Sequence, residues 1–263
     1  MLLAGKVAVV TGATRGIGRA IALGLAQEGA DIVVAARSEV EPNPKLPGTI
    51  YAVAEEVRGL GRQALPVKTN VAQDEDVERL AREALHHFGH VDILVNNPAV
   101  VMPQPFTDLS IKSWDLVWRI NIRGPILCTK AFLPHMMERR QGLILNISSY
   151  AAMGGKEVCD SVGIPYPLSK VALNFLTQEA GRELTDHGII MLALNVEHFI
   201  RTAGVLFGFP DIDAKLGPMI EALGEMDEES VGRAATLLAA RATLKDAGRV
   251  VKCREALQEF GDK

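Results

Sequence analysis

Residues 11–18 read TGATRGIG, and this stretch decides the fold of the 263-residue chain. It follows an apolar run, Val7–Val10, and precedes a stretch in which apolar residues recur at helical spacing. Glycines at such a junction let the backbone turn tightly and approach a pyrophosphate, which the free N–H groups at the helix start can bind. The stretch therefore predicts a dinucleotide-binding turn.

Five further apolar runs have the length of buried strands, and helical patterns separate them. The runs are mostly continuous rather than alternating, which is typical of strands covered on both faces. This order predicts an α/β fold: a single doubly wound parallel sheet (Rossmann fold) with helices on both faces, formed by residues 1–263 as one domain. The runs are Asp31–Ala36, Gln63–Val67, Val91–Val95, Leu143–Ile147 and Ile189–Leu194.

Composition and charge exclude several classes of protein. Hydrophobic residues make up 48% and charged residues 23%, an ordinary globular balance that excludes a disordered chain. Lys and Arg number 28 against 32 Asp and Glu, so no basic excess is present to bind nucleic acid. No run of about 18 apolar residues predicts a membrane span. Three cysteines without a CxxC pair suit a reducing compartment, so we expect a cytoplasmic protein.

Three segments interrupt the alternation of strands and helices. The segment Glu41–Gly48 contains three prolines and is not expected to be helical. The segment Ala151–Pro165 is expected to be a glycine-containing loop. The segment of residues about 203–222 is apolar and is interrupted by glycines and prolines. This pattern favours a lid over a plain surface loop. Its large apolar side chains indicate an apolar substrate: Leu206, Phe207, Phe209, Met219 and Ile220.

The end of the second strand bears on the choice of dinucleotide. An NAD site would place a carboxylate on the ribose 2′-hydroxyl about 20 residues beyond the glycines. Here the strand ends in Ala36, Arg37 and Ser38 instead. Arg37 and Arg15 together offer two guanidinium groups to a 2′-phosphate, which favours NADP over NAD, although both could be solvated surface arginines.

Tyr166 and Lys170 form a YxxxK pair that falls on one face of a predicted helix. A phenol titrates near pH 10 and becomes a useful acid–base group only when a neighbouring cation stabilises the phenolate. Hydride delivery to a carbonyl creates an alkoxide that needs a proton, and a tuned tyrosine can supply it. The pair alone is a weak signal, and its position after the fifth strand gives it weight.

With these motifs in order, the chain resembles the short-chain dehydrogenase/reductase family over nearly its whole length. The segment Pro44–Ile50 (PKLPGTI) further resembles the hydroxysteroid-dehydrogenase-like branch. The matching pieces are TGATRGIG at 11–18, Asn96-Asn97-Pro98-Ala99, Asn121 in NIRG, Asn146-Ile147-Ser148-Ser149, and Tyr166 with Lys170.

The resemblance implies a role for each catalytic residue. Tyr166 would be the acid–base residue, and Lys170 would hold the nicotinamide ribose and lower the pKa of Tyr166. Ser149 would hydrogen-bond the substrate carbonyl, with Ser148 as its replacement if the strand end is shifted. Asn121 would position a water molecule that relays protons to Lys170.

The resemblance also implies the cofactor site. Asn70 stands where the family usually has an Asp against the adenine, and an amide oxygen can still accept a hydrogen bond there. The expected cofactor-binding residues are Gly12, Thr14, Arg15, Gly16, Ile17, Gly18, Arg37, Asn70, Val71, Asn97, Tyr166, Lys170, Ile200 and Thr202. No metal site is expected, because His86, His87 and His90 have no carboxylate or cysteine at ligand spacing.

The chain departs from the family pattern at three places. Pro98-Ala99 replaces Ala-Gly, and the interval from Ser149 to Tyr166 is longer than usual, which predicts an expanded substrate loop. Glu197-His198 replaces a Pro-Gly pair whose turn, in the family, contacts the nicotinamide amide. The catalytic residues are therefore intact while part of their frame is altered.

These observations predict an NADP-dependent oxidoreductase that interconverts an apolar ketone or aldehyde and an alcohol. The alternative is a dinucleotide-binding protein with little or no turnover, used as a sensor or in assembly. Small molecules are the expected partners, with no nucleic acid and no membrane. The resemblance implies a homo-oligomer, a tetramer or a dimer, assembled through the helices that bear Asn121–Arg139 and Tyr166–Asp186.

Overall fold

The computed structural model describes residues 1–41, 43–209 and 211–261. Within these residues seven parallel strands form one sheet in the order β3-β2-β1-β4-β5-β6-β7. The strand order reverses between β1 and β4, and such a reversal opens a crevice at the carboxyl ends of the strands. The strands are β1 Val7–Thr11, β2 Asp31–Ala36, β3 Ala64–Lys68, β4 Ile93–Asn96, β5 Gly142–Ser149, β6 Ile189–Val196 and β7 Val250–Lys252.

Helices connect the strands and cover the sheet. A π turn over Arg119–Arg123 joins α4 to α5, and short 3₁₀ turns lie at Tyr150–Met153, Thr185–His187 and Leu244–Asp246. The helices are α1 Gly16–Gln27, α2 Ile50–Gly59, α3 Asp74–Phe88, α4 Ile111–Trp118, α5 Gly124–Arg139, α6 Lys156–Val162, α7 Pro165–Leu184, α8 Ala203–Gly208, α9 Ile212–Leu223, α10 Glu228–Arg241 and α11 Cys253–Glu259.

Two apolar cores, one on each face of the sheet, explain the continuous apolar runs. Successive residues of β1 point to opposite faces, so Ala8 and Val10 pack into one core while Val7 and Val9 pack into the other. Helices α1, α2, α10 and α11 contribute to the first core, and α3, α5 and α7 to the second. The doubly wound parallel sheet with helices on both faces is thereby confirmed.

Helix α3 illustrates how local sequence sets an element. Its first turn carries three acidic side chains, Asp74–Asp76, which suit the positive end of the helix dipole. It stops at Gly89, whose φ of 77° lies in the left-handed region that glycine adopts readily. His86 and His87, two of the three histidines weighed as metal ligands, are exposed in its last turn.

The structure corrects the sequence analysis in two places. A seventh strand, β7, pairs with β6 and was not expected; it is only three residues long, too short to give a pattern. The predicted loop Ala151–Pro165 instead contains most of a 3₁₀ turn and the helix α6, between glycines at 155 and 163.

The structure also shows the conformation of the described parts of the other two interrupting segments, Glu41–Gly48 and residues of about 203–222. The described part of Glu41–Gly48 contains no helix, as expected, and Pro42 lies outside the described residues. The predicted lid, residues of about 203–222, forms most of the helices α8 and α9, and Pro210 between them lies outside the described residues. In the described part of the chain, no helix is long and apolar enough to cross a membrane.

A chain of buried polar side chains ties α7 to the centre of the sheet. The Asn96 amide donates to Asn146 Oδ1 across β4 and β5 at 2.9 Å, and the Asn146 amide donates to Thr177 Oγ1 on α7 at 2.9 Å. All three side chains are buried, where hydrogen bonds are directional and their loss is costly. These hydrogen bonds fix the position of α7, whose first turns carry Tyr166 and Lys170.

Candidate active site

A cavity of about 440 Å³ lies at the carboxyl ends of the central strands, at the point where the strand order reverses. Every residue expected to bind the cofactor lines it, as do Ser149, Tyr166 and Lys170. Asn121 is the one expected site residue that does not line it. The topology therefore brings together residues that are up to 190 positions apart in the chain, from Gly12 to Thr202.

The glycine turn has the close packing that a dinucleotide site requires. Gly12 has a φ of +66°, and a Cβ added at Gly18 would stand 2.2 Å from the Gly12 carbonyl oxygen. Only glycine fits at Gly18 without moving the backbone, so the first turn of α1 lies directly against the turn. No side chain caps the start of α1 and its first turn has no acidic residue. The residues present fit a pyrophosphate group.

Asn97 holds this turn in place. Its amide nitrogen donates to the carbonyl oxygens of Thr11 and Gly12, each at 3.2 Å. The expected cofactor-binding residue is therefore also a brace between the end of β4 and the glycine turn. Pro98 follows Asn97 and lines the cavity beside it.

Arg15 lines the cavity but has further partners that the sequence did not reveal. Its guanidinium donates to the carbonyl oxygens of Leu46, Pro47 and Gly48 at 3.0, 2.9 and 3.3 Å. Arg15 thus fastens the proline-rich segment against the glycine turn. Burial and the nearby positive charge of Arg37 lower the pKa of Arg15.

Arg37 is the more accessible of the two arginines. It is exposed at the end of β2 and has no ion-pair partner in the parts of the chain that the structure describes. The nearest following carboxylate, Glu39, forms an ion pair with Lys68 at 2.6 Å and accepts a hydrogen bond from the Tyr51 hydroxyl at 3.2 Å. These two contacts lower the pKa of Glu39 and keep its carboxylate engaged.

Lys170 is almost completely buried, with 3% of its surface exposed. Its ammonium donates to the Ile147 carbonyl oxygen at 2.7 Å and lies 5.7 Å from the centroid of the Tyr166 ring. Burial disfavours the charged form and lowers the pKa of Lys170 to about 8. The i, i+4 spacing on α7 therefore places the two groups together, as expected.

The pKa of Tyr166 departs from the expected direction. Burial raises it, and the opposing effect comes from a hydrogen bond with Ser149 rather than from Lys170. Ser149 Oγ also accepts from the Ala151 N–H at 3.2 Å. Ser148 is buried, and its hydroxyl has no hydrogen-bond partner among the described residues. The contact with Tyr166 thus favours Ser149 over Ser148 as the serine of the site.

Asn121 lies beside the cavity in the π turn and braces the loop after β4. Its side chain accepts from the Val100 N–H at 2.9 Å, and its amide donates to the Val100 carbonyl and to Ser169 Oγ, each at 3.0 Å. The side-chain amide is therefore occupied by protein partners and makes no contact with Lys170.

The Glu197-His198 pair holds its turn by side-chain hydrogen bonds. The Glu197 carboxylate accepts from the backbone N–H groups of Cys253 and Arg254 at 2.8 and 2.9 Å, at the start of α11. His198 Nδ1 donates to the Leu223 carbonyl at the end of α9 at 2.6 Å. These partners are distant in sequence, so only the structure reveals them. Ile200 still lines the cavity beyond the turn.

The helices α8 and α9 pack over the cavity through an apolar cluster of their own. Phe209 and Leu216 belong to this cluster and line the cavity, where Met219 joins them. Of the five side chains taken to indicate an apolar substrate, three do not line the cavity: Leu206 and Phe207 are each 45% exposed, and Ile220 is buried in the apolar cluster. Composition alone does not show which face of a short helix packs towards the cavity, so it could not separate these side chains from those that line it.

The chain is similar to known dehydrogenases over most of its length. A family model described as "short chain dehydrogenase" matches residues 6–202. Hydroxysteroid dehydrogenase-like protein 2 from Homo sapiens is 36% identical over 217 residues, which cover 81% of this chain and 50% of that protein. The same protein from Danio rerio is 42% identical over 146 residues, covering 56% of this chain and 35% of that protein. The chain spans about half the length, or less, of these curated relatives.

Solved structures agree in fold. A putative dehydrogenase from Xanthomonas campestris has a TM-score of 0.84 and 31% identity, covering 99% of this chain and 92% of that one. A putative NAD(P)-dependent gluconate 5-dehydrogenase from Beutenbergia cavernae, with bound NADP at low occupancy, has a TM-score of 0.82 and 29% identity, covering 97% of each chain.

The Glu197 cap generates a prediction about stability. In Glu197→Ala the N–H groups of Cys253 and Arg254 lose their acceptor, so the free energy of unfolding should fall by about 2 kcal/mol. Urea unfolding measures this free energy. Glu197→Gln keeps one acceptor oxygen, so its free energy of unfolding should lie between those of the wild type and Glu197→Ala. Asp74→Ala, which loses an exposed ion pair with Arg123 and one of three acidic side chains at the start of α3, is the control and should lower the free energy of unfolding much less. Equal stability of Glu197→Ala and Asp74→Ala would contradict the role of the cap.

Proposed function

The chain belongs to the short-chain dehydrogenase/reductase family, in its hydroxysteroid-dehydrogenase-like branch, and we propose that it is an NADP-dependent oxidoreductase that interconverts an apolar ketone or aldehyde and the corresponding alcohol. One observation carries the proposal. Ser149, Tyr166 and the buried Lys170, whose ammonium lies 5.7 Å from the centroid of the Tyr166 ring, line the same cavity as the glycine turn.

The residues of the cavity fit a nicotinamide dinucleotide. When bound, this cofactor supplies or accepts a hydride at its nicotinamide ring. The closely packed glycine turn and the start of α1 would hold the pyrophosphate, and Asn70 and Val71 the adenine end. Ile200 and Thr202 line the cavity where the nicotinamide end would lie.

Tyr166 handles the proton. Delivery of a hydride to a carbonyl carbon leaves negative charge on the oxygen, and the Tyr166 hydroxyl can donate a proton to it while Ser149 hydrogen-bonds the same oxygen. Because burial raises the pKa of Tyr166, the phenol holds its proton at neutral pH. The Lys170 ammonium, charged below about pH 8, then stabilises the phenolate that the transfer leaves behind.

The walls of the cavity support an apolar substrate. Val158 and Val162 of α6 and Phe209, Leu216 and Met219 of the α8–α9 segment line it on the substrate side. A small number of polar groups among apolar walls is the usual composition of a site that binds an apolar molecule in one orientation.

Arg37 supports the choice of NADP. Its guanidinium is exposed at the end of β2, near the positive charge of Arg15, and the carboxylate of Glu39 is engaged with Lys68 and Tyr51. A 2′-phosphate would pair with these guanidinium groups, whereas Glu39, the first carboxylate after β2, is not free to bind a ribose 2′-hydroxyl.

We further propose that the protein is a cytoplasmic homo-oligomer. Helix α7 exposes Leu168, Val171 and Phe175 at helical spacing, with 40, 44 and 65% of their surfaces accessible. An apolar stripe of this kind suits the homo-oligomer, tetramer or dimer, that the family resemblance implies. The cytoplasmic location rests only on the three free cysteines.

The enzymatic proposal predicts the behaviour of Tyr166→Phe. NADPH oxidation with a panel of apolar ketones should fall by about 10²-fold or more, because the proton donor is lost while the ring is kept. Tyr51→Phe, an exposed tyrosine outside the cavity whose partner Glu39 keeps its ion pair with Lys68, is the matched control and should stay active. Unchanged turnover in Tyr166→Phe would refute the role of the residue. If the wild type and both variants bind NADPH but none of them turns over a ketone, the dinucleotide-binding alternative is favoured.

The cofactor proposal predicts the behaviour of Arg37→Ala. Loss of a charge-assisted contact with the 2′-phosphate should raise the KM for NADPH about tenfold or more and leave the KM for NADH unchanged. Steady-state kinetics with both cofactors measure the ratio, with Arg82→Ala, another exposed arginine, as control. A wild-type preference for NADH, or equal weakening of both cofactors, would contradict the proposal.

A further inference from the structure

A second cleft of about 380 Å³ lies beside the active-site cavity, at the carboxyl ends of β6 and β7. Tyr150, His198 and Leu223 line both spaces, so the two share a wall. Lys252 and Arg254 line only the second cleft. No residue assigned above to cofactor or carbonyl chemistry lines it.

Lys252 and Arg254, against the single carboxylate of Glu197, give the cleft a net positive charge. Both are exposed, and neither side chain has an ion pair or hydrogen bond among the described residues. Glu255 is paired with Arg249, which also binds Asp246. The carboxylate of Glu197, also on the cleft, accepts hydrogen bonds from two backbone N–H groups and lies 3.7 Å from His198 Nε2.

Two buried side chains of the cleft have unmet hydrogen-bonding capacity. Asn195 and His198 are each 8% exposed, and Asn195 Oδ1 and His198 Nε2 have no hydrogen-bond partner in the described part of the chain; Glu197 Oε1 lies 3.7 Å from His198 Nε2, too far for a hydrogen bond. His198 Nδ1 donates to Leu223, so its Nε2 is left either to accept or, when the ring is charged, to donate. Buried polar atoms without partners are rare in folded proteins and often mark a place for a ligand or a water molecule.

From this arrangement we propose that the second cleft binds the anionic end, a carboxylate or a phosphate, of a substrate whose apolar body lies in the active-site cavity. The inference rests on the proposed function and names its substrate class: an apolar ketone that ends in an acid. Lys252 and Arg254 supply the charge, and Asn195 and His198 supply polar contacts at the wall.

The test compares aliphatic ketones of increasing chain length that end in a carboxylate, in its methyl ester or in a phosphate. At the best length, the acid should have a kcat/KM about tenfold above that of its ester, as expected for one charge-assisted contact. In the double variant Lys252→Ala/Arg254→Ala this ratio should fall towards one. The matched control is Lys245→Ala, which removes an exposed lysine that precedes the start of β7. This variant should keep the wild-type ratio of acid to ester.

Equal kcat/KM for acid and ester in the wild type, or a ratio that the double variant leaves unchanged, would overturn the inference. Turnover of the ester would still support the carbonyl chemistry, so the two failures are distinguishable. If no ketone is turned over, calorimetric titration of the NADPH-loaded protein with medium-chain alkanoates and alkyl phosphates decides. Weaker binding of either anion by the double variant would support the cleft, and equal binding would refute it.

Discussion

The buried ammonium of Lys170 is the constraint on which the catalytic half of the molecule depends. Taking a charge out of water is costly, and the cost appears as a pKa lowered to about 8. The structure offsets it with the Ile147 carbonyl and holds the Tyr166 ring close by. The position of α7 must therefore be fixed, which explains the buried hydrogen bonds that join this helix to Asn146 on β5.

The altered frame of the site is held by long side chains that bind backbone groups of distant segments. Arg15 reaches the carbonyls of residues 46–48, and Glu197 reaches the N–H groups at the start of α11, 56 and 57 positions away. Glu197 thus holds the altered turn by long-range hydrogen bonds, while Arg15 fastens the proline-rich segment to the glycine turn. The chain can therefore lack the Pro-Gly turn of its family and still keep Ile200 and Thr202 on the cavity.

Sequence reasoning located most of the sheet, and nearly all the residues it proposed for the site line one cavity, because both depend on local patterns. Six strands are long apolar runs, and Tyr166 and Lys170 lie four residues apart, which fixes their common face. What it missed depends on distant contacts or short segments. The three-residue β7 has no pattern of its own, the partners of Arg15 and Glu197 are remote, and the exposure of Phe207 follows from how α8 packs.

The pH dependence of kcat/KM for ketone reduction, which reports the free enzyme, tests the central claim most directly. Lys170 must be charged to stabilise the phenolate, and its charged form is lost as the pH rises through about 8. We expect activity to fall with an apparent pKa near 8, and the limb to move to higher pH in Lys170→Arg, whose guanidinium stays charged. Wild-type activity that stays constant well above this pKa, or the same limb in Lys170→Arg, would contradict the account.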